Sequence, residues 1–378
     1  MTPPRLLDGG AAIVLDLDER TLRFHAMWLR DNTQDAATRD PATGQRLITV
    51  GDLPADTRIE SADWRDGRLH LRFAPDGKQA DYDPLWLIAH AYDRVALRSP
   101  GWTDATMTRW DAAAAGALPV ADYQRIRSDS GALRDWLAQV RRYGFARLAG
   151  APTQPGIACT VAALFGYVRE TNYGRAFDVR VEAAPTNLAY TDRALQPHTD
   201  NPYRDPAPGL QILACLQSDA PGGETILIDG FKLAERLQSE DPHGFDLVTR
   251  HCTRFAYAGA EGVRLSAKKP LIELGADGEL AAIRFNNRSA APLVDVPYDA
   301  MEDYYAAWRR LADLIEAPEL RLRFRLAPGE LVLLDNLRVL HGREAFVGSG
   351  ARWLEGCYAD RDGLFSTLAA LEEEAVDG

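Results

Sequence analysis

The sequence predicts a mainly β protein with helical insertions, in which a small β-rich N-terminal domain precedes a double-stranded β-helix (jelly roll) domain. Many short apolar runs of strand length are separated by turn clusters such as residues 219–223, which favours antiparallel sheets over a parallel α/β sheet. Helical spacing is confined to a few segments. The 378 residues exceed the usual size of one hydrophobic core, so we expect two domains, residues 1–98 and 99–378.

The first domain is predicted from strand-length segments and one strong turn signal. Four segments alternate or run apolar at strand length: residues 12–17, 22–26, 58–64 and 68–73. The pair Asp66-Gly67 between the last two predicts a tight hairpin. Residues 24–32 are expected to be an apolar strand that ends abruptly in Arg-Asp-Asn, before a polar loop over residues 34–45. A helix with proline in its first turn is predicted over residues 83–92.

The second domain is predicted to follow a connector over residues 96–125. Its predicted helices are residues 130–140, 159–168, 231–239 and 299–315. Its predicted strands are residues 144–148, 209–216, 224–229 and 330–335.

Composition and charge disfavour several classes of partner. The formal charge of -12 argues against nucleic acid, because phosphate binding needs a basic surface, although a locally positive pocket for a small anion is compatible with it. The four cysteines, Cys159, Cys215, Cys252 and Cys357, are widely spaced and indicate neither a zinc site nor a disulfide framework. No apolar run has membrane-spanning length, and no signal-peptide core follows the N-terminal charges. We therefore expect a cytoplasmic protein with neither a nucleic-acid nor a membrane partner.

A candidate metal site is predicted from His198, Asp200 and His341. In an extended strand alternate side chains share a face, so His198 and Asp200 would point the same way. The distant His341 follows an apolar strand and a short turn. Two histidines and one carboxylate form the facial triad that binds Fe(II) and leaves coordination positions open. The alternative is a chance H-x-D sequence and a core histidine, because short motifs are unspecific.

The metal candidates belong to a wider set of motifs that resembles a known family. The set comprises His198-x-Asp200-x-Pro202-Tyr203, Gly222-Gly223-Glu224-Thr225, His341, Arg352, Met27-Trp28-Leu29-Arg30-Asp31-Asn32 and Gly356-Cys357-Tyr358-Ala359-Asp360. With these residues the chain resembles the iron(II)- and 2-oxoglutarate-dependent dioxygenases of the taurine-dioxygenase superfamily. Over nearly its whole length it looks like their γ-butyrobetaine hydroxylase branch.

The resemblance implies a set of cofactors and the residues that bind them. Fe(II) would be bound by the two histidines and the aspartate, and the co-substrates would be 2-oxoglutarate and O2. Thr225 and Arg352 match the positions that bind 2-oxoglutarate, and a guanidinium group suits a carboxylate because two parallel charged hydrogen bonds fix its orientation. A homodimer is the family expectation. Many members of the branch bind structural zinc through clustered cysteines in the first domain, but residues 32–45 contain no cysteine, so no zinc is expected here.

The resemblance also implies a small trimethylammonium zwitterion as substrate. An aromatic cage for the cation falls on Tyr173, Phe177, Tyr190 and Tyr358, where phenylalanine stands at a position that can carry tryptophan. The remaining predicted substrate-binding residues are Asn187, Asn201, Tyr203, Asn286, Asn287 and Arg288.

The anionic end of the substrate leaves two alternatives within the branch. An arginine near the predicted amides favours a phosphonate, because that group carries up to two charges and three acceptor oxygens. The first expectation is therefore 2-(trimethylamino)ethylphosphonate, hydroxylated at C1. The alternative is conversion of γ-butyrobetaine to L-carnitine. A third hypothesis, from another class, is a non-catalytic jelly-roll binding protein that retains the cage.

Overall fold

The computed structural model describes residues 2–93, 98–116, 118–180, 193–219, 221–346 and 351–377. The chain forms two compact units, Met1–Leu97 and Arg98–Gly378. Each unit contains its own cluster of buried apolar side chains. That the two units are independent domains stays a prediction.

In its described part, the first unit consists of two three-stranded antiparallel sheets and two short α-helices. Its elements are β1 (Arg5–Leu7), β2 (Ala12–Leu17), β3 (Arg20–His25), α1 (Ala26–Asp31), β4 (Arg58–Arg65), β5 (Arg68–Ala74), β6 (Gln79–Tyr82) and α2 (Pro84–Ala89). Asp66 and Gly67 have φ values of 47° and 77°, so the Asp-Gly pair forms the predicted two-residue hairpin turn. Leu69, Leu71 and Phe73 alternate along β5 and are buried in the core of the unit.

The strand predicted over residues 24–32 is wrong beyond His25. The chain turns into α1 at Ala26, and the buried residues Ala26 and Leu29 are three apart, as on one face of a helix. A six-residue helix contains less than two turns. The segment therefore has too few residues to show a helical period that differs from the pattern of the apolar strand before it.

The second unit contains most of the strands and helices. Its strands are β7 (Val120–Asp122), β8 (Phe145–Ala149), β9 (Phe177–Arg180), β10 (Leu195–His198), β11 (Leu210–Ser218), β12 (Thr225–Asp229), β13 (Cys252–Tyr257), β14 (Leu265–Pro270), β15 (Ile272–Leu274), β16 (Leu280–Ile283), β17 (Leu322–Phe324), β18 (Leu331–Asp335), β19 (Val339–Arg343) and β20 (Arg352–Ala359). Its α-helices are α3 (Tyr123–Ser128), α4 (Ser130–Tyr143), α5 (Ile157–Ala162), α6 (Gly230–Glu240), α7 (Pro242–Arg250), α8 (Met301–Glu316) and α9 (Arg361–Asp377). The predicted α4, α6 and α8 are confirmed, whereas α7 and α9 were not predicted.

Two sheets form the centre of the second unit. One has the strand order β7-β8-β18-β11-β20-β9 and the other β10-β19-β12-β17, and every pair except β7–β8 is antiparallel. Leu213 and Val332 from the first sheet share a buried cluster with Leu227 and Val339 from the second. The chain is therefore mainly β with helical parts, and the packing of the two sheets is consistent with the predicted jelly roll.

Helices cover the outer face of the six-stranded sheet. Ile212 and Ala214 of β11 belong to the buried cluster that includes residues of α3, α4, α5 and α9. The alternate residues Gln211 and Leu213 therefore point to the opposite face, toward the interior between the sheets. In the described part of the chain, no helix is both long enough and apolar enough to cross a bilayer.

Candidate metal centre and active site

Strand pairing brings the two candidate histidines together. His198 is the last residue of β10, and His341 is in the middle of β19. The two residues are directly opposed in the antiparallel register, which places their side chains on one face of the sheet. Their ring centroids are 4.6 Å apart.

Asp200 reaches the histidines from a bend rather than from the strand assumed in the sequence analysis. The strand ends at His198, and the backbone of Asp200 is bound by the side chain of Asn336. Asp200 N donates to Asn336 Oδ1 at 2.7 Å, and Asn336 Nδ2 donates to Asp200 O at 3.0 Å. Because Asn336 is itself buried, these two bonds fix the position of the carboxylate.

Further hydrogen bonds orient the side chains of the candidate ligands. His198 Nδ1 lies 2.8 Å from the carbonyl oxygen of Gln196, so Nδ1 carries the proton and Nε2 keeps its lone pair. Asp200 Oδ2 accepts bonds from Gln211 Nε2 at 2.7 Å and from the Tyr358 hydroxyl at 2.8 Å. Asp200 Oδ1 is 3.3 Å from His198 Nε2.

The three side chains fit a divalent iron ion. One ligand atom from each of His198, Asp200 and His341 lies within 4.8 Å of the other two. Burial, and then the neighbouring His198, lowers the pKa of His341 to about 3, so its imidazole is neutral at pH 7. Burial alone would raise the pKa of Asp200, but its contacts with His198, His341 and the Tyr358 hydroxyl hold that pKa below its ordinary value. Two imidazoles and one carboxylate are the ligand set of the non-haem Fe(II) oxygenases.

A cavity of about 580 Å³ opens onto these ligands. Among its described lining residues, three arginines, Arg288, Arg343 and Arg352, accompany a single carboxylate, Asp200. The volume is within the range of small-molecule sites. An acidic chain therefore contains a locally positive cavity, which suits anionic ligands.

The two residues predicted to bind 2-oxoglutarate line this cavity together. Thr225 begins β12, Arg352 begins β20, and both are buried. Gly223 has a φ of 69°, and a Cβ atom there would lie 3.1 Å from Arg352 Nε, so glycine leaves room for the guanidinium group. Arg343, opposite Thr225 in the strand register, adds a second buried cation that the sequence analysis did not predict.

Three of the four predicted cage residues line the cavity, and the fourth, Tyr190, lies outside the described residues. The rings of Phe177 and Tyr358 are 4.9 Å apart, and those of Tyr173 and Phe177 are 6.5 Å apart. Gly356 pairs with Phe177 across the strands, and a Cβ atom at Gly356 would overlap the phenyl ring. Glycine at that position therefore lets the ring lie across β20 beside Tyr358.

The structure separates the residues predicted to bind the anionic end. Asn201, Asn286 and Arg288 line the cavity. Asn287 does not: its Nδ2 donates to Gln196 Oε1 at 2.8 Å on an exposed part of the turn. Asn187 lies outside the described residues.

The two asparagines among these lining residues differ in the side-chain atoms that could bind a ligand. Asn286 is bonded within the protein, because its Nδ2 donates to Thr199 O at 3.1 Å and its Oδ1 accepts from Arg288 N at 3.2 Å. Asn201 has a φ of 53°, accepts a bond from the Tyr203 hydroxyl, and buries an Nδ2 that has no hydrogen bond within the described residues. Tyr203, which was also predicted to bind substrate, lines the cavity and supports Asn201.

Sequence reasoning missed Gln211, Tyr257, Asn336 and Arg343, all of which line the cavity or bind a candidate ligand. For Gln211 a signal was present, because it is the one amide inside an otherwise apolar run in β11. Such a residue is expected to have a buried polar partner. For Tyr257 no local signal exists, since it ends a short strand of mixed character.

Comparison with known proteins identifies the family. Residues 105–358 match the model of the taurine catabolism dioxygenase TauD, TfdA family. The chain belongs to this family. A γ-butyrobetaine dioxygenase of Pseudomonas sp. (strain AK-1) is 37% identical over 94% of this chain and 92% of its own length. A mitochondrial trimethyllysine dioxygenase of Rattus norvegicus is 30% identical over 93% of this chain and 83% of its own length. A crystal structure of asparagine oxygenase with Fe(II), hydroxyasparagine and succinate covers 62% of this chain and 82% of its own, with a TM-score of 0.49 and 21% identity.

Membership of the family confirms the predicted reaction class and cofactors. The chain is a dioxygenase that uses Fe(II) and 2-oxoglutarate, and the non-catalytic alternative is set aside. The homodimer and the cytoplasmic location stay predictions.

Proposed function

We propose that this TauD/TfdA family dioxygenase hydroxylates a small trimethylammonium carboxylate, and that γ-butyrobetaine, converted to L-carnitine, is its substrate. The observation that carries the proposal is the composition of the cavity. An aromatic wall, formed by Tyr173, Phe177 and Tyr358, and three arginines line the cavity that contains the candidate iron site. A trimethylammonium group cannot donate a conventional hydrogen bond, and aromatic faces bind it with about 0.5–2 kcal/mol each. The names of two relatives, γ-butyrobetaine dioxygenase and trimethyllysine dioxygenase, support this class of substrate.

Each part of the cavity has a role in the proposed reaction. His198, Asp200 and His341 bind the iron, which with 2-oxoglutarate and O2 supplies the oxidising chemistry. Arg352 binds the distal carboxylate of 2-oxoglutarate through charged hydrogen bonds, and the hydroxyl of Thr225 assists it. The aromatic wall and the anion-binding residues fix the two ends of the substrate, so the reacting carbon is held next to the metal site.

Arg288 is the residue that the proposal assigns to the anionic end of the substrate. Its Nη2 lies 2.7 Å from His198 Nε2, so the side chain reaches the centre of the cavity. One lone pair on Nε2 cannot serve both a guanidinium group and a metal ion. With iron on His198, the proposal places the anionic group of the substrate within reach of Arg288 in the same cavity, where Asn201 Nδ2 supplies a neutral donor.

The phosphonate stays as the second candidate, because the guanidinium group of Arg288 lies in the cavity and suits a doubly charged group. The names of the relatives favour the carboxylate. The two compounds share the trimethylammonium group and differ in the anionic group and, by one methylene, in the chain that carries it.

The test supplies the purified full-length chain with Fe(II), 2-oxoglutarate and each zwitterion in turn, and measures succinate release. We expect kcat/KM to be higher for γ-butyrobetaine than for 2-(trimethylamino)ethylphosphonate. Faster turnover of the phosphonate would overturn the carboxylate assignment. Arg288→Gln should raise KM for the preferred zwitterion by about tenfold, as expected for one charged hydrogen bond. Arg309→Gln, at an exposed arginine of α8, is the matched control.

A further inference from the structure

Tyr257, which no motif of the sequence includes, forms part of the aromatic wall. It is the last residue of β13 and lines the cavity. Its ring is stacked on that of Tyr203, with centroids 5.0 Å apart and an interplanar angle of 22°. Its ring also meets that of Tyr173 edge-on, at 5.9 Å and 66°. Since Tyr173 contacts Phe177 in turn, Tyr257 extends the wall beyond the three cage residues described above.

The three tyrosines fix one another. The hydroxyls of Tyr173 and Tyr203 are 2.9 Å apart, and the Tyr203 hydroxyl donates to Asn201 Oδ1. Tyr257 covers one face of Tyr203 and one side of Tyr173, so neither ring can turn without losing its contact with Tyr257. Such mutual packing makes the wall rigid before a ligand binds, which lowers the entropic cost of binding.

The backbone holds Tyr257 in place from both sides. Tyr257 pairs with Leu265 of β14, and on the other edge Ala256 N donates to Ser289 O at 2.8 Å. Gly259 lies against the ring, because a Cβ atom there would be 2.9 Å from Tyr257 Cε2 and 3.1 Å from its hydroxyl oxygen. The φ of Gly259 is not in the left-handed region, so glycine serves here to make room for the ring.

We propose that Tyr257 is a specificity-determining residue, whose ring closes the cation pocket beside Tyr173 and selects a trimethylated, positively charged head group. This inference rests on the proposed function, because it assumes that the aromatic wall binds the cationic end. One face of the Tyr257 ring is covered by Tyr203, and the residue lines the cavity. An aromatic face attracts a cation through its quadrupole, whereas an aliphatic side chain of similar bulk offers packing alone.

The test compares Tyr257→Leu and Tyr257→Phe in the full-length enzyme loaded with Fe(II) and 2-oxoglutarate. Dissociation constants are measured without O2 for γ-butyrobetaine and for its isostere with an uncharged head group, in which tert-butyl replaces trimethylammonium. We expect Tyr257→Leu to raise the dissociation constant of γ-butyrobetaine by about 2- to 30-fold and that of the isostere much less. Tyr257→Phe, which keeps the aromatic face, should stay near wild type. Tyr298→Leu is the matched control, because Tyr298 is 93% exposed in the same unit.

A second variant, Gly259→Ala, displaces the ring without removing it, and it should lower the affinity for γ-butyrobetaine in the same direction. An equal loss of the cation and the isostere in Tyr257→Leu would show a packing role only and would overturn the inference. So would unchanged binding in both Tyr257→Leu and Gly259→Ala. If wild-type enzyme neither binds nor hydroxylates any trimethylammonium acid, the proposed function itself fails. If wild type turns γ-butyrobetaine over and the variants match it, only the role of Tyr257 fails.

Discussion

Replacement of Gln211 by leucine should weaken metal binding without destabilising the fold. Gln211 Nε2 donates to Asp200 Oδ2 at 2.7 Å, on the oxygen that also accepts the Tyr358 hydroxyl. Gln211 and Tyr358 are direct cross-strand partners, so the two donors reach the carboxylate from adjacent strands. Together they fix the carboxylate rotation and leave Oδ1 beside His198 Nε2.

The size of the effect follows from the type of bond. A hydrogen bond to an ionised group contributes about 1.5–3 kcal/mol, and about 1.4 kcal/mol corresponds to a tenfold change in an equilibrium constant. Residues that orient metal ligands typically change metal affinity by about 10- to 100-fold when they are replaced. We therefore expect Gln211→Leu to raise the Fe(II) dissociation constant by about 10- to 100-fold.

The stability of the metal-free protein should respond differently. Gln211 is buried, and its Oε1 makes no hydrogen bond within the described residues. A buried amide with one unpaired atom adds little to folding, and leucine has a similar volume in an apolar strand. The free energy of unfolding should therefore change by less than about 1 kcal/mol.

The assay is an anaerobic titration with Fe(II) in excess 2-oxoglutarate, followed by the visible charge-transfer band, beside urea unfolding of the metal-free protein. Gln217→Leu is the matched control, because Gln217 lies on the same strand with an exposed side chain. Wild-type iron affinity in Gln211→Leu would refute the positioning role. A loss of affinity accompanied by an equal loss of unfolding free energy would mean that the residue only supports the fold.

Three further predictions concern other parts of the second unit. Asn336→Ala removes both hydrogen bonds to the Asp200 backbone and should lower the free energy of unfolding by about 2–4 kcal/mol. An unchanged midpoint in urea titrations would contradict this role of Asn336. Asp229→Ala leaves the buried Arg338 without its ion-pair partner and should lower the free energy of unfolding by about 3–5 kcal/mol in the same urea titrations. The double variant with Arg338→Met should recover part of that loss. The hydrogen bond from Cys357 lowers the pKa of the Cys159 thiol to about 7. Alkylation of Cys159 by iodoacetamide should therefore reach half its maximal rate near that pH. Cys357→Ala should move that midpoint upward, and an unmoved midpoint in peptide mass spectrometry would exclude the bond.

Local signals explain which elements could be predicted from the sequence. The Asp66-Gly67 turn and the apolar spacing of α4 each depend on residues that are neighbours in the chain, and both are confirmed. The helix α1 was missed because it follows β3 without a break and is too short to show its own period. The helices α7 and α9 were missed although α7 begins with Asp241 as its N-cap and Pro242 in its first turn, which are helix-start signals.

Local sequence signals also explain which residues of the site could be predicted and which could not. The metal candidates were found because H-x-D and a distant histidine form a known ligand set, although Asp200 reaches the site through a bend that the sequence does not indicate. Strand register places Gln211 beside Tyr358, and Tyr257 contacts two tyrosines in turns that are distant in the sequence, so no spacing rule could identify their roles. Asn287 shows the opposite error, because the Asn286-Asn287 pair resembled a binding site, but the side chain of Asn287 is bonded to Gln196 and does not line the cavity.

The metal centre and the aromatic wall are one connected structure. Tyr358 contributes a ring beside Phe177 and a hydroxyl on Asp200, so the same side chain belongs to the proposed cation pocket and supports a candidate metal ligand. On the other side, the Tyr203 hydroxyl binds Asn201, the residue directly after Asp200. The distance between the cation pocket and the iron site is therefore set by covalent and hydrogen-bonded links within the protein. A hydroxylase that oxidises one carbon of a flexible chain needs such a fixed distance, because a displacement of about 1 Å can cost about a hundredfold in rate.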